Sequence, residues 1–364
     1  MRVAFCGGGT GGHVYPALAV ASALAEAVAD GNLELLYMGT AAGPEASLVG
    51  RTSIPFHSIR AAAVRGRSPW AAAAAALDIA VGVVQARRVM ARFHPQAVLI
   101  TGGYVGVPVA VASRLGGTPL VVYLPDVQPG WAVQYAAQLA QRVATTTDRA
   151  LPYLPAAKTA VTGYPVRPAF WEATRGEARR RLGLCPEEPL LLVSGGSHGA
   201  RRLNQVVAVS LPSLLAVCNV VHICGHDDEP WLATIRRDLP DDLQPRYRLY
   251  PYLHDEMPWT MAAADLAVLR SGASVMGELP ALGLPAILVP YPHAGGHQMY
   301  NAQYMAEAGA ALVLEESHLE EMPGLALELL QDGARRQAMA AAVRSLAQPT
   351  AAHDIARLLL EVAT

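Results

Sequence analysis

At 364 residues, 52% hydrophobic and 16% charged, the chain is too apolar for disorder and too long for one small core, so two domains of ordinary size are expected. No apolar run is long enough to cross a bilayer, since the longest, residues 70–84, is broken by Asp78; the start, Met1-Arg2 and Val3 to Cys6 before a glycine cluster, lacks a signal peptide's h-region and cleavage site, so a cytoplasmic protein is expected. The net charge of −2 hides an asymmetry: residues 1–163 hold twelve Lys/Arg against seven Asp/Glu, leaving −7 for the rest, and a basic end either suits an anionic partner or merely solubilises its half.

Short apolar runs alternate with stretches of helical period along the chain. In the first half they are Val3 to Cys6, Leu33 to Met38, Ala97 to Ile100 and Leu120 to Tyr123. The second half repeats the scheme with Leu190 to Ser194, Val220 to Cys224, Tyr247 to Tyr250, Leu266 to Leu269 and Ala286 to Val289. Alternation of this kind predicts βαβ units and parallel sheets, hence an α/β protein of two Rossmann-like domains. Turn residues in the segment Val161 to Arg167 place the boundary there, giving domains 1–163 and 164–345, and a closing helix within about residues 346–364, after Gln348-Pro349, is expected to pack back on the first. The four cysteines have neither CxxC spacing nor the density of a disulfide framework and read as reduced core thiols.

The first run leads into Gly7-Gly8-Gly9-Thr10-Gly11-Gly12-His13 and a helix containing Pro16, satisfying G-x-G-x-x-G at Gly7, Gly9 and Gly12. Bare glycines let a ligand reach the backbone, and free N–H groups at a helix start attract a diphosphate, although a tight turn without ligand has the same sequence. A nicotinamide or flavin site is disfavoured because the second strand ends Leu36-Tyr37-Met38-Gly39-Thr40, without the acidic residue that holds a ribose. The second half opens likewise, with Gly195-Gly196-Ser197-His198-Gly199-Ala200 after its first strand. A third element, Arg270-Ser271-Gly272-Ala273-Ser274, starts a helix that carries Glu278 one turn in, placed either for ribose hydroxyls or for solvent. Beyond the next strand, His297 and Gln298 stand in a polar loop able to read sugar hydroxyls or simply to face water. There is no D-x-D and no metal-ligand spacing, so Arg167 or Arg270 with backbone amides, rather than a metal ion, is expected to neutralise a diphosphate.

With these motifs in order, the chain resembles the MurG family of peptidoglycan lipid-intermediate GlcNAc transferases, in family 28 of the GT-B glycosyltransferases. The resemblance rests on Gly7 to His13 with Pro16, Thr101-Gly102-Gly103-Tyr104-Val105, Gly163 to Arg167, Gly195 to Ala200, Arg270 to Ala273 with Glu278, and Gln298 with Asn301. It implies a GT-B fold, two parallel-sheet domains facing a central cleft, and inverting transfer of GlcNAc from UDP-GlcNAc to an undecaprenyl-diphosphate-linked muramyl peptide, without a tightly bound cofactor. On the donor side it implies Leu253 near uracil, Glu278 on ribose, Arg167, Ser197, Arg270, Ala273 and Ser274 around the diphosphate, and His297 with Gln298 on the sugar. On the acceptor side it implies Thr10, Gly11, Gly12, His13 and Gly103 around the lipid diphosphate, with His13, Tyr104 and Asp126 in catalytic roles.

The family's usual His-Glu-Gln-Asn run reads here Tyr123-Leu124-Pro125-Asp126, which puts Leu124 at the glutamate and leaves Asp126 to take over its polar duty; Tyr164 and His198 depart likewise from an asparagine and a glutamine. Arg65, Arg67 and Trp70 before an apolar helix that ends in Arg87, Arg88 and Arg92 fit either a buried helix with a basic cap or one lying on an anionic leaflet. The resemblance favours the leaflet and a peripheral place on the inner face of the cell membrane; nucleic acid is not an expected partner. A GT-B transferase with another acceptor, a UDP-GlcNAc 2-epimerase and a non-catalytic nucleotide-sugar-binding regulator are the alternatives.

Overall fold

The computed structural model describes residues 1–28, 31–62, 69–196, 199–292 and 296–363. They fall into two compact units, Met1–Arg167 with Gln348–Thr364, and Pro168–Ala347. The division follows Arg167 rather than Gly163, so the whole Gly163 to Arg167 turn belongs with the first unit.

The first unit is built on a seven-stranded parallel sheet of β1 (Arg2–Cys6), β2 (Glu34–Gly39), β3 (Phe56–Ser58), β4 (Ala97–Ile100), β5 (Leu120–Leu124), β6 (Arg142–Thr145) and β7 (Thr159–Val161), in the spatial order β3-β2-β1-β4-β5-β6-β7. Helices cover both faces of such a sheet, so its central strands are apolar at every position; Val3 to Cys6 and Ala97 to Ile100 are all fully buried. Phe5 stands between Tyr37 of β2 and Leu99 of β4 in the register. The helices are α1 (Gly11–Ala27), α2 (Pro44–Val49), α3 (Pro69–Phe93), α4 (Gly106–Gly116) and α5 (Trp131–Leu139). In α1, Val14, Ala17, Ala21 and Leu24 recur at helical spacing on the buried face. The closing helix, Ala351–Ala363, packs against α1, β4 and β5 and buries Ile355 and Leu359, each contributing about 1.5–3 kcal/mol of apolar burial.

The second unit has a six-stranded parallel sheet of β8 (Leu190–Ser194), β9 (Asn219–Ile223), β10 (Tyr247–Tyr250), β11 (Leu266–Leu269), β12 (Ala286–Leu288) and β13 (Ala311–Val313), ordered β10-β9-β8-β11-β12-β13. Its core unites Leu191, Val193, Val268 and Ile287 of the sheet with Leu203, Val207 and Leu211 of the helix Arg201–Leu215.

Both sheets reverse their strand order beside the first strand, at β1/β4 and at β8/β11. At such a point adjacent connections leave to opposite faces and open a crevice beyond the carboxyl ends of the strands. The glycine loop after β1 and the Thr101–Gly103 turn after β4 meet at one; the glycine loop after β8 and the turn after β11 meet at the other. No helix among the described residues is long and apolar enough to cross a membrane.

Candidate functional site

In the first unit the glycine loop rests on a carboxylate. Glu45, in the first turn of α2, is fully buried and accepts hydrogen bonds from Gly9 N (3.1 Å), Thr40 N (2.8 Å) and Thr40 Oγ1 (2.5 Å). A Cβ on Gly8 would lie 2.3 Å from its Oε1, so any other residue there would have to displace this carboxylate. Burial first, and the Glu45 charge besides, push the Cys6 thiol and the Tyr37 phenol well above their ordinary ranges, keeping both neutral. Glu45 was not among the residues singled out by sequence; its only signal is an acid just after Gly43-Pro44 at a helix start. Because it takes the Gly9 amide, the amides of Gly11 and Gly12, in the first turn of α1 where no carbonyl lies a turn back, are those left for a ligand. Thr10, at the N-cap, makes no side-chain cap bond and turns its hydroxyl toward His13 Nδ1 at 3.4 Å.

His13 is fixed on both sides. Its Nδ1 lies 2.8 Å from the Gly8 carbonyl, which can only accept, so Nδ1 carries a proton and, in the neutral ring, the lone pair is on Nε2. The ring lies on Gly102, whose φ of +125° and missing Cβ (which would stand 2.8 Å from His13 Nε2) allow no other residue. Thr101 Oγ1 donates to the His13 carbonyl at 2.6 Å, tying the end of β4 to α1. Gly103 packs on the Gly8 backbone, and Tyr104 follows half-exposed at the head of α4. The structure therefore brings Thr10, Gly11, Gly12, His13, Gly103 and Tyr104 to one switch point. Asp126 follows β5, half-buried, whereas Leu124 is in the apolar core, so the position where the family carries glutamate points inward here. Arg167, expected in the donor half, lies in the first unit with its guanidinium 4.3 Å from the Tyr15 ring centroid.

In the second unit, Ser197 falls outside the described residues. The loop beside it is set by Gly199, which has φ +73° and approaches Cys224 O so closely that a Cβ would stand 2.3 Å away. Behind the loop runs a buried chain of hydrogen bonds that the sequence did not disclose. Asn204 Nδ2 donates to Cys224 O (2.8 Å) and Asp228 Oδ2 (2.6 Å), which leaves Asn204 Oδ1 to accept from His222 Nε2 (2.9 Å) and His222 Nδ1 to accept from Tyr247 Oη (2.9 Å). Asp228 is also paired with Arg201 and accepts from Trp231 Nε1 at 3.0 Å. Desolvation depresses His222 to about 3, so the ring is neutral, consistent with this order of donors.

The turn after β11 is joined to the polar helix start at His297. Ser271 Oγ donates to Gln298 O at 2.8 Å, part-buried, and Asn301 Nδ2 donates to Ser271 O at 3.2 Å in the interior. Gln298 Oε1 accepts from Tyr291 N at 2.9 Å, which fixes the side-chain amide and leaves its NH2 group as the donor for a ligand. Ala273 and Ser274 lead into the helix Val275–Leu282, which carries Glu278, half-buried, in its first turn. Arg270, expected at a diphosphate, pairs instead with Glu316 in the interior and stands 5.4 Å from the Tyr291 ring centroid. Leu253 lies half-buried past β10, at the same carboxyl end of the sheet. Ser271, Ala273, Ser274, Gln298 and Asn301 thus share one switch point. Among the described residues no group of His, Cys, Asp and Glu is arranged to hold a metal ion.

Two parallel sheets with a glycine loop at each switch point are the architecture of GT-B glycosyltransferases. Residues 3–145 match the glycosyltransferase family 28 N-terminal domain and residues 190–357 the family 28 C-terminal domain. The UDP-N-acetylglucosamine–N-acetylmuramyl-(pentapeptide) pyrophosphoryl-undecaprenol N-acetylglucosamine transferase of Roseiflexus sp. is 42% identical, over 99% of this chain and 94% of that protein. The crystal structure of Acinetobacter baumannii MurG superposes with a TM-score of 0.73 at 27% identity, covering 99% of each chain. The UDP-GlcNAc 2-epimerase of Neisseria meningitidis bound to UDP-GlcNAc, at 14% identity and a TM-score of 0.66 over 99% of this chain and 100% of that one, shares the fold. The chain belongs to the MurG family of glycosyltransferase family 28.

Proposed function

We propose that the chain transfers GlcNAc from UDP-GlcNAc to an undecaprenyl-diphosphate-linked muramyl-peptide acceptor, the lipid I to lipid II step of peptidoglycan synthesis, with inversion at the anomeric carbon. The observation that carries this reading is the hydrogen-bonded union of the Ser271 turn with Gln298 beside the carboxyl end of β11, which gathers amides, a fixed carboxamide and Glu278 where a nucleotide sugar binds. The amides of Ala273 and Ser274, with Ser197, take the donor diphosphate; Glu278 takes the ribose, the backbone at Leu253 the uracil, and His297 with Gln298 the sugar. Arg270 acts here through its ion pair with Glu316, shaping the turn that those amides occupy. Arg167 adds positive charge to the departing UDP.

The acceptor diphosphate rests on the Gly11 and Gly12 amides, with Thr10, Gly103 and Tyr104 beside it. His13 Nε2 removes the proton of the acceptor hydroxyl as that oxygen attacks the anomeric carbon and UDP leaves; Asp126 supplies the polar duty that Leu124 cannot.

The chain works on the inner face of the membrane through α3. Trp70 (88% exposed), Leu77 (67%) and Val84 (49%) recur every seven residues on its outer face, followed by exposed Arg87, Arg88 and Arg92. Apolar side chains beside arginines suit an anionic leaflet.

Radiolabelled UDP-GlcNAc and a panel of lipid-diphosphate acceptors test the reading. UDP release only with a muramyl-peptide lipid supports it, and conversion of UDP-GlcNAc to its C2 epimer without any acceptor points to the epimerase. Co-sedimentation with anionic vesicles that fades with salt and with Trp70→Ser supports the membrane face; equal binding to neutral vesicles contradicts it.

A further inference from the structure

Pro16 sits inside α1 and has no N–H, so the Gly12 carbonyl, four residues earlier, lacks its helical donor, and the proline ring pushes that carbonyl outward. A carbonyl so exposed within the protein needs another partner. Tyr164 provides it: the side chain is 4% exposed and its hydroxyl donates to Gly12 O at 3.1 Å, from 152 residues away. Its neighbour in α1, the His13 carbonyl, is held by Thr101 in the same manner.

Tyr164 is itself braced. Its ring meets Tyr123 edge-on, with centroids 6.3 Å apart and planes at 68°. The Tyr123 hydroxyl lies 2.7 Å from Thr146 Oγ1, and Thr146 donates onward to Pro125 O at 2.8 Å, so the one hydroxyl proton of Thr146 is spent and Tyr123 is the donor to it. A strut thus runs from the Gly12 carbonyl through Tyr164, Tyr123 and Thr146 to the peptide before Asp126. Two of the positions that depart from the family pattern, Tyr123 and Tyr164, are in direct contact and act together.

We infer that Tyr164 is a positioning residue for the acceptor half of the reaction, replacing the hydrogen bond that Pro16 denies to Gly12 and so fixing the Gly11–Gly12 amides and the His13 imidazole. This rests on the reading of that loop given under Proposed function. Tyr164 touches no reacting atom in this account; its hydroxyl acts through the backbone of α1.

The test uses the full chain as wild type, Y164F and Y164F with P16A. Phenylalanine keeps the packing against Tyr123 and removes only the hydroxyl; alanine at 16 restores a backbone N–H that can reach Gly12 O. Y164F is expected to lower kcat about tenfold with the UDP-GlcNAc KM unchanged, because a small misplacement of the base and the acceptor is enough for such a loss. Adding P16A is expected to return kcat to within about threefold of wild type, a recovery that repacking alone cannot give. Amide hydrogen exchange in the first turn of α1, read without any substrate, is expected to quicken in Y164F and slow again in the double variant. Wild-type kcat and exchange in Y164F, or a loss that P16A leaves unrepaired, overturns the inference. A wild type that transfers no sugar to any lipid acceptor sinks the functional reading instead, while the exchange data still decide the hydrogen bond.

Discussion

The two glycine loops are alike in sequence and opposite in what lies beneath them. Under the loop after β1 is the buried Glu45 carboxylate, which takes the Gly9 amide for itself; behind the loop after β8 is a chain of neutral groups ending in Asp228, whose charge is met by Arg201. An anion on the first loop therefore works against a fixed negative charge, and one on the second meets no such opposition. On the proposed assignment, the first loop is expected to hold its anion more weakly than the second.

Four variants sharpen or break this contrast, beginning with the largest effect. His222 binds a proton in the unfolded chain near pH 6.5 and in the folded one only at about 3. Its contribution to stability is complete above about pH 6.5 and is lost as pH falls toward 3, at roughly 1.4 kcal/mol per pH unit. Replacing it in His222→Gln is expected to flatten the stability curve in that window, as followed by urea melts; an unaltered slope would show that the network does not hold the ring neutral. Next, His13→Ala is expected to lower kcat by about 10²–10⁴-fold with little change in donor KM, the loss typical of a general base. An unchanged kcat removes it from that role.

A smaller effect is expected from Glu278→Ala, which removes charge-assisted bonds to a ribose and should raise the UDP-GlcNAc KM about tenfold or more while leaving the acceptor KM alone. A rise in the acceptor KM instead would exchange the roles of the two loops. Smallest is Glu45→Gln, which deletes the charge and keeps an oxygen for Gly9 while turning its NH2 toward the Thr40 amide; a severalfold lower acceptor KM is expected where the relief of repulsion outweighs that lost bond. If the acceptor binds more weakly, the carboxylate serves the loop rather than opposing its ligand.

Strands buried on both faces, such as β1, β4, β8 and β11, were legible because their sequences are unbroken apolar runs. The short strands β3, β6, β7 and β13 were not: three of them are edge strands of three residues, and Phe56-His57-Ser58 or Arg142 to Thr145 has no run to notice. The site shows the same division. Gly7 to His13 announces itself locally through chain conformation, but Glu45, Asn204 and His222 matter only through partners that the fold delivers. Arginine placement was hidden for the same reason: nothing in the segment around Arg270 reveals its ion pair with Glu316, 46 residues on, or that Arg167 stands over Tyr15.

The most direct measurement is a crystal structure of the chain with UDP-GlcNAc. The nucleotide is expected on the second unit, its diphosphate against the Ala273 and Ser274 amides and its ribose on Glu278, with the Gly11–Gly12 amides left to the acceptor. A nucleotide bound at Gly11–Gly12, away from Glu278, would contradict the assignment of one loop to each substrate.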